Sequence, residues 1–224
     1  FGSKFKLLFN SKKYIYPKRN EFDITNPRSI EKYIKNHKPT IIVHCAALSR
    51  PMEIHDSHIS KSISTNIIGT CNLVNASEKR GIKLIYFSTN YVYPGIKGNY
   101  SENSDLFPIN NYAWSKLGGE CAVQMYKNSL ILRICMTEKP FVHKKAFKNV
   151  KTNFIFHDEV IKVLPKLFKY KGVINIGGPT QSVFNFAKKS NPLVRGIYLK
   201  RSKRNIKMFN TSMDISKLRK ILND

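Results

Sequence analysis

Three apolar runs, separated by segments of helical periodicity, constrain the fold more than any other feature of the sequence. The runs are Thr40–Ala47, Ile82–Phe87 and Leu130–Met136, and each has the length and composition of a buried strand. Parallel strands need a long crossover, which is usually a helix. Helical patterns fill both intervals, at Lys61–Lys79 and from Tyr112 onward. The sequence therefore predicts an α/β fold with strands and helices in βαβ order.

Polar side chains suited to proton transfer follow the second run. Ser88 and Thr89 come directly after it, at the sheet edge where open α/β proteins bind ligands. Tyr112 and Lys116 are four residues apart, so a helix that begins near Asn111 puts them on one face. An ammonium near a phenol lowers a phenol pKa that is otherwise about 10. These residues predict a proton-transfer site for a carbonyl and its alcohol. The alternative interpretation of the tyrosine and lysine is an ordinary exposed helical pair.

The sequence around these residues resembles the extended short-chain dehydrogenase/reductases. The resemblance rests on STNYVY at Ser88–Tyr93, Pro108-Ile109-Asn110 before the tyrosine, and KLGGE at Lys116–Glu120. Within that family it is most similar to the dTDP-4-dehydrorhamnose reductases and related sugar-nucleotide reductases. It implies a Rossmann-type doubly wound parallel sheet with a small C-terminal substrate lobe. It also implies NADPH or NADH as hydride donor and a nucleotide sugar with a 4-keto group as substrate.

The resemblance also divides the chain. Residues 1–136 match the NAD(P)-binding domain, and residues 137–224 match a small substrate-binding lobe that is partly interleaved with the first. The chain begins with Phe1 rather than Met, which suggests a fragment and leaves open whether the chain alone is active. We therefore expect the family's first strand and the start of its glycine-rich turn to be missing. Gly2 would be the last glycine of that turn, where the helix comes close to the sheet.

A short segment near the N-terminus is expected to hold the adenosine end of the cofactor. Tyr14–Pro17 is interpreted as a strand, and Lys18 and Arg19 follow where NAD-preferring folds carry an acidic residue. Two cations there favour NADP, because they suit its 2′-phosphate. The resemblance assigns the exocyclic amine of adenine to Asp23 and the face of the ring to Ile24. Asp23 could equally be a turn residue before the next helix.

The resemblance assigns the remaining roles residue by residue. The catalytic residues would be Tyr112 as general acid, Thr89 as a hydrogen-bond donor to the same substrate oxygen, and Lys116. The lysine would hold the nicotinamide ribose and lower the pKa of the tyrosine, and the tyrosine would lie against the cofactor too. Tyr91 and Asn110 would contact the substrate together with Thr89. The other residues expected at the cofactor are small or brace the site, and they are Ala46, Ala47, Asn66 and Ser88.

Two other functions remain open at this point. The scaffold also carries NAD-dependent sugar-nucleotide epimerases and dehydratases, but a dehydratase normally has an acidic pair where this chain has Asn90-Tyr91. A non-catalytic NAD(P)-binding regulatory subunit, like that of methionine adenosyltransferase, would keep the same fold. The intact hydroxyl, tyrosine and lysine set favours catalysis, whereas the missing first strand argues against it.

The composition limits the choice of partners. The chain has 39 Lys and Arg against 14 Asp and Glu, a net charge of +25. The cations are spread along the whole chain, and their densest group, Lys200–Lys207, lies outside the candidate site. We therefore do not expect a nucleic acid as partner, although the basic field would attract a pyrophosphate-bearing ligand.

The apolar runs and the cysteines point to a cytoplasmic protein. No apolar run reaches the roughly 18 residues of a transmembrane helix, so no membrane partner is expected. The four cysteines are scattered without metal-ligand spacing, which predicts a reduced protein with no metal site. A homodimer is compatible with the resemblance.

Overall fold

The computed structural model describes residues 1–9, 11, 13–200 and 208–223. Two compact units make up the chain, the first with residues 1–88, 110–132 and 168–173, the second with residues 89–109, 133–167 and 174–224. The predicted boundary near residue 136 and the substrate-binding role of the C-terminal lobe stay predictions. Apart from its first lysine, the basic group Lys200–Lys207 lies outside the described residues.

Helices and strands alternate through the first part of the chain. The helical run between the first two strands contains a π-helical segment, in which the backbone N–H of Gly69 bonds the carbonyl of Ser64, five residues earlier. The elements in chain order are α1 (Gly2–Leu8), α2 (Pro27–His37), β1 (Ile41–His44), α3 (Ile54–Ser57), α4 (Ile59–Ser62), the π segment (Ile63–Ile68), α5 (Gly69–Glu78), β2 (Lys83–Thr89), α6 (Asn111–Met125) and β3 (Ser129–Ile134).

Shorter strands and helices follow. A 3-10 turn at Asn90–Val92 comes directly after β2. The elements after β3 are β4 (Met136–Thr137), β5 (Lys145–Phe147), β6 (Lys151–Thr152), β7 (Ile155–Phe156), α7 (His157–Leu167), β8 (Gly172–Ile176), β9 (Gln181–Ser182), α8 (Val183–Lys188), β10 (Arg195–Ile197) and α9 (Ser216–Asn223).

The central sheet confirms the predicted α/β architecture. Within the described residues its strand order is β1-β2-β3-β8. Strands β1 and β2 run parallel, with Ile41 opposite Lys83 and His44 opposite Tyr86. Every residue of β2 is buried, which explains why its middle residues, 84–87, are apolar without alternation.

Local sequence signals account for the helix α2 and for the core that it covers. Asn26 caps the helix, because its side chain accepts hydrogen bonds from two backbone N–H groups of the first turn, and Pro27 suits the first position. Ile30 and Ile34 lie four residues apart on the buried face. They belong to an apolar cluster between α2 and α5, whose members are Ile24, Ile30, Ile34, Leu73, Ala76 and Ile82.

The second unit contains a closed network of buried polar groups around Asn175. The Arg133 guanidinium donates to the Tyr93 hydroxyl at 2.9 Å and to the Glu102 carbonyl at 2.9 Å. The Tyr93 hydroxyl lies 2.8 Å from the Asn175 side-chain oxygen. The Asn175 amide donates to the carbonyls of Tyr100 and Asp214. The side chains of Arg133, Tyr93 and Asn175 are at most 2% exposed, so the centre of the network is shielded from water.

The structure corrects two details of the predicted elements. Tyr14–Pro17 is not a strand; the two tyrosines pack against aromatic rings of α1 instead, with ring centroids 5.7 Å apart for Tyr14 and Phe5. Proline also lacks the N–H that a strand ladder needs. Strand β1 ends at His44, so Ala46 and Ala47 lie in the segment beyond it rather than inside the strand.

Two further properties concern the described part of the chain. None of its helices combines the length and apolar character that a membrane span requires. Nor does it contain a group of three or more His, Cys, Asp or Glu side chains placed to hold a metal ion.

Candidate active site

The start of α6 is fixed by two asparagines. The side chain of Asn110 caps the helix by accepting a hydrogen bond from the backbone N–H of Ala113 at 2.8 Å. The Asn111 amide donates to the Asp56 carboxylate at 2.8 Å. Asn110, predicted as a substrate contact, therefore uses its side-chain oxygen to begin the helix. These two hydrogen bonds fix the N-terminal end of α6, next to Tyr112.

Tyr112 and Lys116 lie on successive turns of α6, as the spacing predicts. Tyr112 is half-buried, whereas Lys116 is 3% exposed. The Lys116 ammonium lies 4.2 Å from the centroid of the Tyr86 ring, and the Tyr86 hydroxyl donates to the Lys116 carbonyl at 2.8 Å. Desolvation favours the neutral amine, whereas the face of the Tyr86 ring attracts the charged ammonium.

Burial is the main influence on the Lys116 charge. It lowers the pKa of the ammonium to about 7, while the acidic groups of Cys45 and Glu120 act in the opposite direction. The pKa of the Cys45 thiol is raised to about 12 by burial, so this thiol is neutral at pH 7. Glu120 is then the acidic group that favours the charged lysine. The Glu120 carboxylate also accepts a hydrogen bond from Ser88 Oγ, at the end of β2.

Asn66 braces the backbone on both sides of the site. Its amide accepts from the backbone N–H of Leu48 at 2.8 Å and donates to the Leu48 carbonyl at 2.9 Å. The same amide donates to Ser115 Oγ at 2.8 Å, and Ser115 Oγ donates to the Tyr112 carbonyl at 2.7 Å. Leu48 directly follows Ala47, so one side chain connects the segment after β1 with the first turn of α6. The bracing predicted for Asn66 is present.

A glycine allows α6 to approach the π segment at backbone distance. A Cβ atom on Gly119 would lie 2.6 Å from the Asn66 carbonyl oxygen and 2.8 Å from the Tyr86 hydroxyl.

Thr70 Oγ1 donates to the Asn66 carbonyl at 2.8 Å. The Thr70 hydroxyl has a single proton, so His44 Nε2, 2.9 Å away, must be the donor in their hydrogen bond.

His44 is a core histidine rather than a ligand. Burial, followed by the charge of Lys116, lowers the pKa of its imidazole to about 3, so the ring is neutral at physiological pH.

His55 is a site residue that the sequence reasoning did not find. Its ring packs edge-on against Tyr112, with centroids 5.1 Å apart, and its Nδ1 lies 2.7 Å from Ser62 Oγ. The residue is 1% exposed, and burial lowers its pKa, although Asp56 acts in the opposite direction. Nothing local in the sequence indicates that His55 packs on a residue so far along the chain.

The hydroxyl groups after β2 are placed as follows. Thr89 is buried, and its Oγ1 accepts a hydrogen bond from the backbone N–H of Tyr91 at 3.3 Å, which caps the 3-10 turn. That bond does not use the hydroxyl hydrogen of Thr89. Tyr91 is half-buried within the turn, and Asn90 is 3% exposed.

The residues predicted to hold the adenosine end of the cofactor are Asp23, Ile24, Lys18 and Arg19, and they differ in their contacts and exposure. The Asp23 carboxylate accepts hydrogen bonds from the backbone N–H and the hydroxyl of Thr25, and these bonds lower its pKa. The turn role of Asp23 is thus present, and its contact with adenine stays a prediction. Ile24 is 6% exposed inside the core cluster of α2 and α5, so little of its side chain is available to a ring. Lys18 is exposed.

The role predicted for Gly2 stays a prediction. A Cβ atom on Gly2 would meet no described atom within 4 Å. Ala46 and Ala47 are exposed beyond the end of β1. Their small side chains leave the backbone accessible at the sheet edge where dinucleotides bind, which fits such a cofactor.

A polar groove of about 540 Å³ lies on the outer face of the helical run. Its lining combines two cations, four hydroxyl groups and one apolar side chain, which are Arg19, Lys61, Thr25, Ser60, Ser64, Thr65 and Ile68.

Comparisons with known proteins agree with this geometry. The family model described as the RmlD substrate binding domain matches residues 2–158. A dTDP-4-dehydrorhamnose reductase of Aggregatibacter actinomycetemcomitans is 29% identical over 170 residues, covering 73% of this chain and 52% of that protein. Methionine adenosyltransferase 2 subunit beta of Xenopus laevis is 33% identical over 119 residues, covering 53% of this chain and 35% of that protein.

A solved structure extends the similarity to nearly the whole chain. The dTDP-4-dehydrorhamnose reductase of Bacillus anthracis, crystallised with NADP, superposes with a TM-score of 0.82 at 25% identity, covering 99% of this chain and 87% of that one. The sequence matches above, in contrast, span only about a third to a half of the relatives' own length. The fold is Rossmann-like, and the chain belongs to the RmlD substrate-binding domain family.

Proposed function

We propose that this chain reduces the 4-keto group of a nucleotide sugar with NADPH or NADH, like a dTDP-4-dehydrorhamnose reductase. The observation that carries this proposal is the placement of Tyr112 and Lys116 on the capped first turns of α6. Asn66 and Ser115 hold the backbone of that tyrosine by hydrogen bonds. Membership of the family and the likeness to the NADP complex of the Bacillus anthracis reductase support the same reaction class.

The cofactor would lie along the edge formed by the segment after β1 and the start of α6. Ala46 and Ala47 would lie against its ribose and pyrophosphate, and Lys116 would donate hydrogen bonds to the nicotinamide ribose. A bound nicotinamide dinucleotide supplies the hydride for the keto carbon. Arg19 would be at its adenosine end, with Asp23 accepting from the adenine amine.

The chain's own residues would supply the proton. Tyr112 would give its phenolic proton to the oxygen of the keto group, so that the carbonyl becomes a hydroxyl and the phenol becomes a phenolate. The Lys116 ammonium would stabilise that phenolate by its charge. Thr89 would donate its hydroxyl hydrogen to the same oxygen, and Ser88 would support this end of β2 through Glu120. Tyr91 would contact the sugar nucleotide.

The remaining proposals concern location and assembly. We place the protein in the cytoplasm because its cysteines, Cys45, Cys71, Cys121 and Cys135, are all free thiols. Self-association into a homodimer stays a prediction from the family resemblance.

A non-catalytic NAD(P)-binding subunit is the second candidate. The similarity to methionine adenosyltransferase 2 subunit beta favours it. In that case the chain would bind NADPH without reducing a 4-keto sugar nucleotide. An epimerase or dehydratase is less well supported, because Asn90 and Tyr91 stand where an acidic pair would be required.

Turnover of a dTDP-4-keto-6-deoxy sugar, followed by NADPH absorbance, tests the proposal. Tyr112→Phe should lower turnover by about 10²- to 10⁴-fold, the scale of a lost general acid, with little change in NADPH binding. Tyr198→Phe, which removes the hydroxyl of a 66% exposed tyrosine, is the matched control and should have no effect. Near-normal turnover in Tyr112→Phe would contradict the catalytic assignment. NADPH binding without any turnover in the wild type would favour the subunit.

A further inference from the structure

The groove on the outer face of the helical run combines features that suit a phosphate group. Arg19 and Lys61 contribute positive charges, and none of the described residues that line it is acidic. Thr25, Ser60, Ser64 and Thr65 add hydroxyl groups, which donate hydrogen bonds to phosphate oxygens. A neutral sugar would not need the cations, and a cationic ligand would be repelled by them. The chemistry of the lining therefore favours an anion with several oxygen acceptors.

The groove adjoins the place proposed for adenosine. Thr25, one of its lining residues, is hydrogen-bonded to Asp23 through both its backbone N–H and its hydroxyl. Arg19, another lining residue, lies close enough to Asp23 for its charge to stabilise the carboxylate. An adenine ring bound at Asp23 would bring its ribose toward the same groove. A phosphate on that ribose is the anionic group that this position could accept.

One of the two cations of the groove, Lys61, comes from the helical run rather than from the segment that carries Arg19. Lys61 and Ser64 lie on the exposed face of the run, whose buried face carries Asn66. Lys18, the neighbour of Arg19 and its predicted partner, does not line the groove. The pair of cations that faces one cavity is thus Arg19 with Lys61, rather than two consecutive residues.

We propose that this groove binds the 2′-phosphate of NADP and that Lys61 is a specificity-determining residue for NADPH over NADH. The inference rests on the proposed function only in taking the cofactor to bind this unit. Lys61 would donate a charge-assisted hydrogen bond to the phosphate, and Arg19 would supply a second. NADH, which lacks the phosphate, would leave the groove to water.

Calorimetric binding of NADPH, NADH, 2′,5′-ADP and 5′-AMP tests the inference without any turnover. Lys61→Ala should weaken NADPH and 2′,5′-ADP by about 10- to 100-fold, the range for one charge-assisted hydrogen bond, and change NADH and 5′-AMP by less than about 3-fold. Lys35→Ala, at an exposed position of α2 outside the groove lining, is the matched control and should leave the ratio of NADPH to NADH affinity unchanged. Both lysines are exposed, so both variants should fold.

Several outcomes would overturn the assignment. Equal losses of NADPH and NADH in Lys61→Ala would do so, and so would an unchanged NADPH affinity. Equal affinity of wild type for 2′,5′-ADP and inorganic phosphate would show a general anion site instead. The proposed reductase activity is separable from these results. NADPH binding that depends on Lys61, without turnover in the wild type, would refute only the proposed reductase activity. Normal turnover, with an NADPH affinity that Lys61→Ala does not change, would refute only the groove assignment.

Discussion

Each unit of the chain contains a buried polar network centred on an asparagine, and the two networks differ in what they hold. In the second unit, the Asn175 amide donates to two backbone carbonyls, and its oxygen lies near the Tyr93 hydroxyl. In the first unit, the Asn66 amide binds the backbone of Leu48, which is not fully buried, and reaches Tyr112 through Ser115.

The network around Asn175 mainly stabilises the fold, whereas the network around Asn66 mainly positions the backbone of Tyr112. The side chains of Asn175, Tyr93 and Arg133 are shielded from water, so a hydrogen bond lost between them leaves a buried group unsatisfied. The Asn66 network ends at a half-buried tyrosine and at a backbone segment that water can reach. We therefore expect substitutions at Asn175 to change mainly stability, and substitutions at Asn66 to change mainly turnover.

The largest effect is expected from Asn175→Ala. The variant leaves the carbonyls of Tyr100 and Asp214 without this donor, and the free energy of unfolding should fall by about 3–5 kcal/mol. Denaturant unfolding monitored by circular dichroism measures the loss. Asn185→Ala, at an exposed position of α8, is the control and should cost less than about 0.5 kcal/mol. If both variants unfold alike, the Asn175 network does not carry the stability assigned to it.

Next in size is the effect of Gly119→Ala. The added methyl group would clash with the Asn66 carbonyl and the Tyr86 hydroxyl, so α6 must move and stability should fall by about 1–3 kcal/mol. Gly118→Ala is the matched control, because its methyl group meets the side chain of Ile67, which can move, rather than backbone. There the better helix propensity of alanine, about 1 kcal/mol, should offset the contact. Equal stability of the two variants would show that α6 and the π segment are not in close contact.

Asn66→Ala should have a smaller effect on stability and a clear effect on turnover. Because water can replace part of the lost hydrogen bonds at Leu48, the free energy of unfolding should fall by only about 1–2 kcal/mol. Turnover should fall by about 10-fold or more, since the backbone of Tyr112 loses its support. Steady-state kinetics at a temperature where the variant is fully folded gives the comparison. Unchanged turnover would reduce Asn66 to the same purely structural role as Asn175.

The last expected effect, small over any single pH unit, is a dependence of stability on pH that comes from Lys116. Its pKa is lowered from 10.5 to about 7, so between these values the unfolded chain binds more protons than the folded one. Stability should therefore rise with pH above about 7, by at most about 1.4 kcal/mol per pH unit from this group. Lys116→Met should flatten that rise between pH 7 and pH 9.5, whereas Lys127→Met, at an exposed position, should not. An identical pH profile in both variants would contradict the burial of a charged lysine.

Much of the fold could be predicted from the sequence because it depends on local patterns. The fully buried strand β2 contains an apolar run at residues 84–87. Helix α6 begins at Asn111, as the spacing of Tyr112 and Lys116 predicts. The predicted strand at Tyr14–Pro17 was wrong, because aromatic packing against α1 outweighed strand propensity.

The parts of the site that could not be predicted depend on contacts between distant residues. His55 meets Tyr112 only because the short helices before the π segment pack on α6. Lys61 faces Arg19 across a groove, although the two are far apart in sequence. Neither residue belongs to a motif, and the change of helical period at Ile63 prevents a simple α-helical projection from showing which face each side chain occupies.

The π segment has a consequence for how such a site can evolve. A π turn holds about one residue more than an α turn, and one residue corresponds to about 100° of helix rotation. Loss of a single codon within Ile63–Ile68 could restore an ordinary α-helix and turn the face that carries Lys61 away from Arg19. Asn66 and α6 could keep their places. If the groove has the role proposed for it, a change in chain length, rather than a substitution, would be enough to alter the preference between NADPH and NADH while Tyr112 and Lys116 stay in place.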